Sequence, residues 1–508
     1  MKKTAAQIFF IISLAVCPFF LSCGMADEES HDEASASSQW HLKATATDHQ
    51  VNLSWKIPND PKIDHVKIYR SLIPTDPHGK QIANLKTLGY EYSDRVRNWK
   101  PYYYWVQAVD DNGQNLGTSN KVAAFAHPGD SALDRIETFA FWYEPYKPTT
   151  DDDSTARHIG HAAFVVGPDQ DTDTMMDLKT AGVDVLSYIS FYQTADWAHG
   201  TFKKDENFSA VIKRLAPVAF YRKNLNFPGS PPGYLPSIFS REGNVEYNPQ
   251  SIQYTADPNS APLREMALSR INELMDSGTS GFFVDNGYND DIAASIADQS
   301  DLHAHYYGAN LTSADAFLGL LMDIFCEVKK RNPKGIVMVN GTVPASAEFY
   351  GLKLGDVSDG QLWESYLRSS YSTLNEHVDD WDEVYRRSIE IERSWQAAPP
   401  HRMYVLSYPW DRNEAFFTYA TAKLCDLPWS ANVGITDPHH SHFGGRFGTY
   451  PELVNIHLGH PVNERQYGGE KWGEVYVRYY ANGFVMVNPA DQEQKFTLLK
   501  GHKKYREK

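Results

Sequence analysis

Asp285 ends the run Gly281-Phe282-Phe283-Val284-Asp285-Asn286, and Glu364 ends a second, Gly360-Gln361-Leu362-Trp363-Glu364-Ser365. Between them, Gly335-Ile336-Val337-Met338-Val339-Asn340-Gly341 ends in an amide. Each run reads as a short apolar strand with one polar group at its end. Parallel strands wound into a barrel bring their C-termini to one face, where the active sites of that architecture are built. Two carboxylates facing each other across such a mouth suit hydrolysis of a glycosidic bond. One protonates the leaving oxygen, and the other attacks or stabilises the sugar carbon. The plain structural alternative is that each carboxylate caps a helix or pairs with an arginine.

Other polar and aromatic residues cluster at the ends of neighbouring runs. Trp142, Tyr143 and Glu144 end the first, Tyr188 and Tyr192 lie on or just after the second, and Asn286 follows Asp285. Tyr408, Trp410 and Asp411 follow the seventh run, and Asp437 follows the eighth. These are candidate substrate contacts, forming stacking walls and hydroxyl partners at sugar subsites, while Asn340 could bond a sugar hydroxyl, position the acid, or simply cap a loop. Asp437 opens the loop Asp437-Pro438-His439-His440-Ser441-His442. Three histidines in one loop without a distant carboxylate partner are a weak ligand set, so no metal is expected. Asp151-Asp152-Asp153 reads as a solvated acidic loop rather than a calcium site.

The elements that must position these groups follow from periodicity. Eight candidate strands are Phe139–Tyr143, Val183–Ser190, Val218–Tyr221, Gly281–Asp285, Ile336–Asn340, Gln361–Glu364, Met403–Ser407 and Asn432–Thr436. Amphipathic helical patterns fall between several of them, as at Leu263–Met275 and Ala314–Lys330. Strands alternating with helices over residues 135–457 predict an α/β domain of the (β/α)8 TIM-barrel type. A doubly wound open sheet is the alternative, but no Gly-x-Gly-x-x-Gly turn follows the first strand. Cys326 and Cys425 fall in helical patterns without metal-type spacing and read as buried thiols.

Ahead of this domain, residues 39–127 show period-2 alternation: Val51-Leu53-Trp55, Val66-Ile68 and Tyr102-Tyr104-Val106-Ala108, with a hairpin turn at Asp111-Asn112-Gly113. Leu53-Ser54-Trp55, Val66-Lys67-Ile68-Tyr69-Arg70 and Tyr102-x-x-x-Val106-x-Ala108 resemble a fibronectin type III domain. Such a sandwich implies no chemistry of its own, and a spacer or packing role is expected. After the barrel comes a β-segment over 458–500 and a basic tail, 501–508.

The N-terminus reads as a targeting segment. Lys2-Lys3 precedes an apolar stretch from Ile8 to Phe20 that is too short to span a membrane as a stable helix. Leu21-Ser22-Cys23-Gly24 resembles the lipobox of bacterial lipoproteins, which implies a signal peptide over 1–22 and lipidation of Cys23. An acidic Ser/Ala-rich tether fills 23–38. Over 508 residues the formal net charge is −16, and loss of Lys2 and Lys3 takes it to −18. A nucleic-acid partner is excluded on that ground, since such binding rests on cationic contacts to phosphate. The 42% hydrophobic content supports sizeable cores.

The barrel segment resembles the glycoside hydrolases grouped around endo-α-1,4-polygalactosaminidase, especially a relative catalogued as hypothetical glycosyl hydrolase family fifteen. The residues that carry it are Leu186-Ser187-Tyr188, Arg270 to Asp276 leading through Gly278 into Gly281-Phe282-Phe283-Val284-Asp285-Asn286, then Val339-Asn340-Gly341 and Trp363-Glu364-Ser365. Val475 to Pro489 looks like the C-terminal β-segment that follows such barrels. The resemblance implies that Asp285 and Glu364 are the essential pair. By analogy with retaining α-glycosidases, Asp285 is nucleophile or stabiliser and Glu364 general acid/base. The expectation is a lipid-anchored glycosidase of the bacterial cell envelope, held at the outer membrane, acting on an α-linked polysaccharide without a cofactor. The alternatives are a non-catalytic glycan-binding lipoprotein and a metal-dependent hydrolase or deacetylase using the histidine loop.

Overall fold

The computed structural model describes residues 41–56, 60–86, 90–128, 137–141, 164–167, 184–189, 257–285, 306–308, 310–341, 346–367, 380–397, 402–409, 412–431, 456–463 and 466–490, with a few isolated positions between them.

Alternation in the N-terminal region gives two antiparallel sheets. Lys43–Thr47, Gln50–Ser54 and Glu91–Arg95 form one; Lys80–Leu85, His65–Ser71, Tyr102–Val109 and Asn115–Thr118 form the other, with Val122–Ala124 paired beside Tyr102–Tyr104. Val51, Leu53 and Trp55 meet Val66, Ile68, Val106 and Ala108 in one buried core. Asp94 is buried there and accepts from Arg70 Nη1 at 2.7 Å and Tyr104 Oη at 3.0 Å. The opposite face is also covered. Tyr103 sets its ring edge-on to Phe349 and Tyr350, Phe125 packs against Phe325, and the Ala123 N–H donates to Tyr350 O at 2.9 Å. Tyr103, Ala123 and Phe125 therefore share a core with the second domain.

The second domain is organised by one parallel sheet of eight strands. Their order is Ala140–Phe141, Phe164–Gly167, Asp184–Ile189, Gly281–Val284, Val337–Asn340, Gly360–Glu364, Arg402–Ser407 and Trp429–Ala431. The sheet is curled, and a single parallel bridge joins Thr138 to Trp429. Four α-helices accompany it among the described residues: Ala261–Asp276, Ser313–Arg331, Trp381–Ala397 and Arg412–Leu424. The expected (β/α)8 TIM barrel is thus corrected, because its eightfold alternation of strand and helix is not seen. The connection from Asn340 to Gly360 shows the physical reason. Its one helical piece among the described residues is the single 3-10 turn Leu354–Asp356, and its Phe349 and Tyr350 receive the sandwich on the flank a helix would cover.

Two further strands join the sheet. Phe164–Gly167 is a strand that periodicity did not reveal, and Trp429–Ala431 is the last described strand of the sheet, while the expected strand Asn432–Thr436 lies outside the described residues. The Val218–Tyr221 run lies outside the described residues. Asp184–Ile189 pairs directly with Gly281–Val284, so Asp285 still follows the fourth strand in sheet order.

Strand parity divides the side chains. Leu186, Phe283, Ile336, Met338, Leu362, Tyr404 and Leu406 fill the concave face with Phe139. Phe282, Val284, Val337 and Val339 pack outward on the helices Ala261–Asp276 and Ser313–Arg331. The latter helix starts at a capping box, with Asp315 N–H donating to Thr312 Oγ1 and Thr312 N–H to Asp315 Oδ2. At the base of the sheet, buried Lys329 donates to Asp359 Oδ1 and Gly335 O, both at 2.6 Å, while Asp359 Oδ2 accepts from Val337 N–H at 2.8 Å. This fixes the register between the strands that carry Asn340 and Glu364. Gly360 is required by close approach, since a Cβ there would stand 2.5 Å from the Tyr404 ring.

The strands Glu470–Trp472, Val475–Tyr480 and Gly483–Val487 form an antiparallel sheet at the C-terminal end. Tyr480, Val485 and Val487 join the core around Arg412–Leu424. Arg478 is buried, with Nη2 2.6 Å from Glu392 Oε1 and Nη1 donating to Leu424 O at 2.7 Å. Cys326 and Cys425 are free, buried thiols, and burial pushes both well up.

Candidate active site

The parity that fills the concave face continues to the strand ends. Tyr188 stands two residues beyond Leu186, Asp285 beyond Phe283, Asn340 beyond Met338, Glu364 beyond Leu362 and Tyr408 beyond Leu406. The parallel register aligns them in one row: Ile189 lies opposite Val284, Val284 opposite Val339, Asn340 opposite Leu362 and Glu364 opposite Leu406. Five polar groups from five consecutive strands therefore share one rim, above a floor of buried apolar side chains.

Hydrogen bonds link them into a chain. Asn340 Nδ2 donates to Asp285 Oδ1 at 2.7 Å and to Glu364 Oε2 at 2.8 Å. Tyr188 Oη donates to Asp285 Oδ2, and Tyr408 Oη donates to Glu364 Oε1 at 2.5 Å. The donors to Glu364 are neutral, a phenol and the amide it shares with Asp285. The two oxygens that meet Asn340 lie less than about 5.5 Å apart, the sum of the two bonds, a close approach compatible with a retaining pair and short of the roughly 6.5–9.5 Å of an inverting one.

Backbone contacts hold each rim residue. Asp285 N–H donates to Ile189 O at 2.8 Å, anchoring it to the neighbouring strand end. Gln361 Nε2 donates to Gly341 O at 2.7 Å, just beyond Asn340. After Glu364 the chain turns through Ser365 at φ 63° and Leu367 at φ 59°, both left-handed. Tyr366 N–H donates to Leu406 O at 2.9 Å, and Ser407 Oγ donates to Tyr366 O at 2.9 Å. Non-glycine residues at positive φ beside a reactive group are a recurrent mark of a functional turn. In the floor, burial pushes the Tyr404 phenol up, and the Asp359 charge adds to it.

The structure thus brings together Asp285, Glu364, Asn340, Tyr188 and Tyr408. Trp142, Tyr143, Glu144, Tyr192, Asn286, Trp410, Asp411, Asp437 and Cys23 lie outside the described residues. Asn340, read as a partner for a sugar hydroxyl or as positioning the acid, donates to both carboxylates, and Tyr188 and Tyr408, read as sugar contacts, each donate to one. Parity along the strand ends was the signal that could have found this, because it puts all five on one face. Among the described residues no group of three His, Cys, Asp or Glu could hold a metal ion, and no helix is long and apolar enough to cross a membrane.

No protein-family model and no curated protein matches the chain. Among solved structures, the chain is similar to the glycoside hydrolase domain of PelA from Pseudomonas aeruginosa. The match is 16% identical, covers 61% of this chain and 98% of that one, and has a TM-score of 0.38. It is also similar to Aspergillus fumigatus Ega3 in complex with galactosamine, at 13% identity over 59% of this chain and 90% of that one, TM-score 0.30. A third likeness is to an Fn3-like protein from Clostridium thermocellum, at 27% identity over 16% of this chain and 83% of that one, TM-score 0.14. At these TM-scores the chemistry rests on the rim residues themselves.

Proposed function

We propose that the chain is a glycoside hydrolase that cleaves a polysaccharide with retention of configuration, using Asp285 and Glu364. The observation that supports this reading is the single amide of Asn340 bound to both carboxylates, which draws them close enough to act on one sugar carbon. In the first step Glu364 gives its proton to the glycosidic oxygen as the C1–O bond breaks, and a carboxylate oxygen of Asp285 attacks C1. A covalent glycosyl ester forms and the shortened glycan leaves. Glu364, now ionised, takes a proton from water; the water oxygen bonds to C1, the ester bond breaks, and both carboxylates return to their starting states. The pair completes the cycle without a cofactor.

The test is turnover of a panel of α- and β-linked polysaccharides by the full chain beside Asp285→Asn and Glu364→Gln. The expected result is cleavage of one glycan and loss of at least about a thousandfold in kcat in either variant, with binding retained. Azide restoring turnover to the Asp285 variant with inverted product would place the nucleophile there. Binding without cleavage, identical in parent and variants, would make the rim a non-catalytic glycan site.

The same reading puts the enzyme at the cell envelope, anchored through a lipidated Cys23. Labelled palmitate should enter the parent and not Cys23→Ser; equal labelling would remove the anchor from the proposal.

A further inference from the structure

The chain Tyr188–Asp285–Asn340–Glu364–Tyr408 is built from two kinds of donor, and the difference bears on where a proton can sit. An amide nitrogen only donates, whereas a phenol both donates and accepts. Asn340 Nδ2 faces Glu364 Oε2 and Asp285 Oδ1 at 2.8 and 2.7 Å. The opposite amide orientation would aim a carbonyl oxygen at two carboxylates, so the network itself assigns the nitrogen. An N–H donated to Oε2 or Oδ1 takes up one lone pair of that oxygen and lowers its basicity, which disfavours a proton there. On Glu364 this favours Oε1, the oxygen beside the Tyr408 hydroxyl. That hydroxyl donates to Oε1 when Glu364 is ionised and can turn to accept when Glu364 is protonated. Tyr408 is 2% exposed and Glu364 sits on a turn tied to the same strand, so both oxygens keep their places through the change.

Resting on the hydrolase reading above, we propose that Asn340 and Tyr408 are positioning residues for the acid proton. Asn340 makes Oε2 the poorer site for it, and Tyr408 accepts and orients it on Oε1, from which it turns to the glycosidic oxygen for delivery. Tyr188 stands in the matching place on Asp285 but serves the group that stays ionised, so it has no part in proton delivery. No bond beyond the O–H transfer already described is made or broken.

The two tyrosines therefore differ in how their loss depends on the leaving group. A sugar alcohol needs protonation to depart, and a dinitrophenolate does not. The experiment compares dinitrophenyl glycosides with unactivated oligosaccharides of the sugar that the panel identifies, in the parent, Tyr408→Phe, Tyr188→Phe and Glu364→Gln. The readout is kcat/KM, which reports the step in which the leaving group departs: Tyr408→Phe should lose roughly 100-fold on the oligosaccharide and less than about threefold on the dinitrophenyl glycoside. Tyr188→Phe should lose equally on both. Both changes keep the ring and its packing, and matching thermal unfolding of the variants checks the fold.

If Glu364→Gln shows the leaving-group split and Tyr408→Phe does not, the positioning role is overturned while the hydrolase reading stands. A split in Tyr188→Phe instead would exchange the two tyrosines and overturn the assignment. If the parent cuts neither substrate, or Glu364→Gln shows no split, the reading on which this rests falls first.

Discussion

Asp94 in the sandwich and Glu364 at the sheet rim each accept a hydrogen bond from a tyrosine, yet their other partners differ. Asp94 is closed by the Arg70 guanidinium at 2.7 Å, and the group is internally neutral. Glu364 is closed by the amide of Asn340, which it shares with Asp285. The same contrast holds for Asp323 with Arg264, Asp359 with Lys329 and Glu392 with Arg478, all ion pairs in the body of the molecule. A buried carboxylate that serves the fold is matched by a cation, because an unmatched charge is costly in a low dielectric. One held by neutral dipoles keeps its charge for a reacting group.

Stability should therefore separate the two kinds. Glu392→Gln strips the carboxylate from buried Arg478 and should cost about 3–5 kcal/mol in denaturant unfolding. Asp94→Ala leaves Arg70 and Tyr104 with donors facing an empty acceptor site and should cost about 2–4 kcal/mol. Glu364→Gln should stay within about 1 kcal/mol of the parent, since it keeps the side chain's shape and leaves no buried cation unpaired. A loss at the rim as large as that at Glu392 would break the contrast.

The contrast has a second edge, in how the two regions meet. Phe125→Ala opens a cavity among Phe325, Trp99 and the shared core, and should cost about 3–4 kcal/mol. If the two domains unfold in one transition in the parent and in two in this variant, the sandwich is part of the sheet's own packing. A spacer would leave the sheet's transition where it was.

These regions were unequally legible in the sequence. Gln50–Ser54 and His65–Ser71 alternate between buried and partly exposed residues, so periodicity marked them, whereas Tyr102–Val109 is covered on both faces and only the inner half of its packing was legible. Gly281–Val284 and Val337–Asn340 are covered on both faces, and their apolar runs marked each of them to within a residue. Phe164–Gly167 is too short a run to separate from loop by pattern, and Trp429-Ser430-Ala431 lacks the β-branched residues that drew attention to 432–436. The helix count misled because the Asn340–Gly360 connection is covered by aromatic side chains of another region, a tertiary fact with no local signature. At the site, the polar residues at strand ends were visible, and their roles were not. Nothing in the order of residues tells whether a phenol points to a sugar or to a carboxylate two strands away.

The smallest effect concerns the turn that carries Glu364. Ser365 sits at φ 63°, a conformation that costs an L-residue about 1–2 kcal/mol, while glycine there pays about 0.5–1 kcal/mol in unfolded-chain entropy. Ser365→Gly should then raise stability by about 0.5 kcal/mol. The same change frees the backbone next to Glu364, which the neighbouring Tyr366 bonds to Leu406 and Ser407 only partly restrain. Turnover should fall about three- to tenfold with KM nearly constant, because the acid is less well held in the transition state. Higher stability with unchanged turnover would mean that the left-handed turn is incidental to the site, and that the bonds to Tyr408 and Asn340 alone hold Glu364 in place.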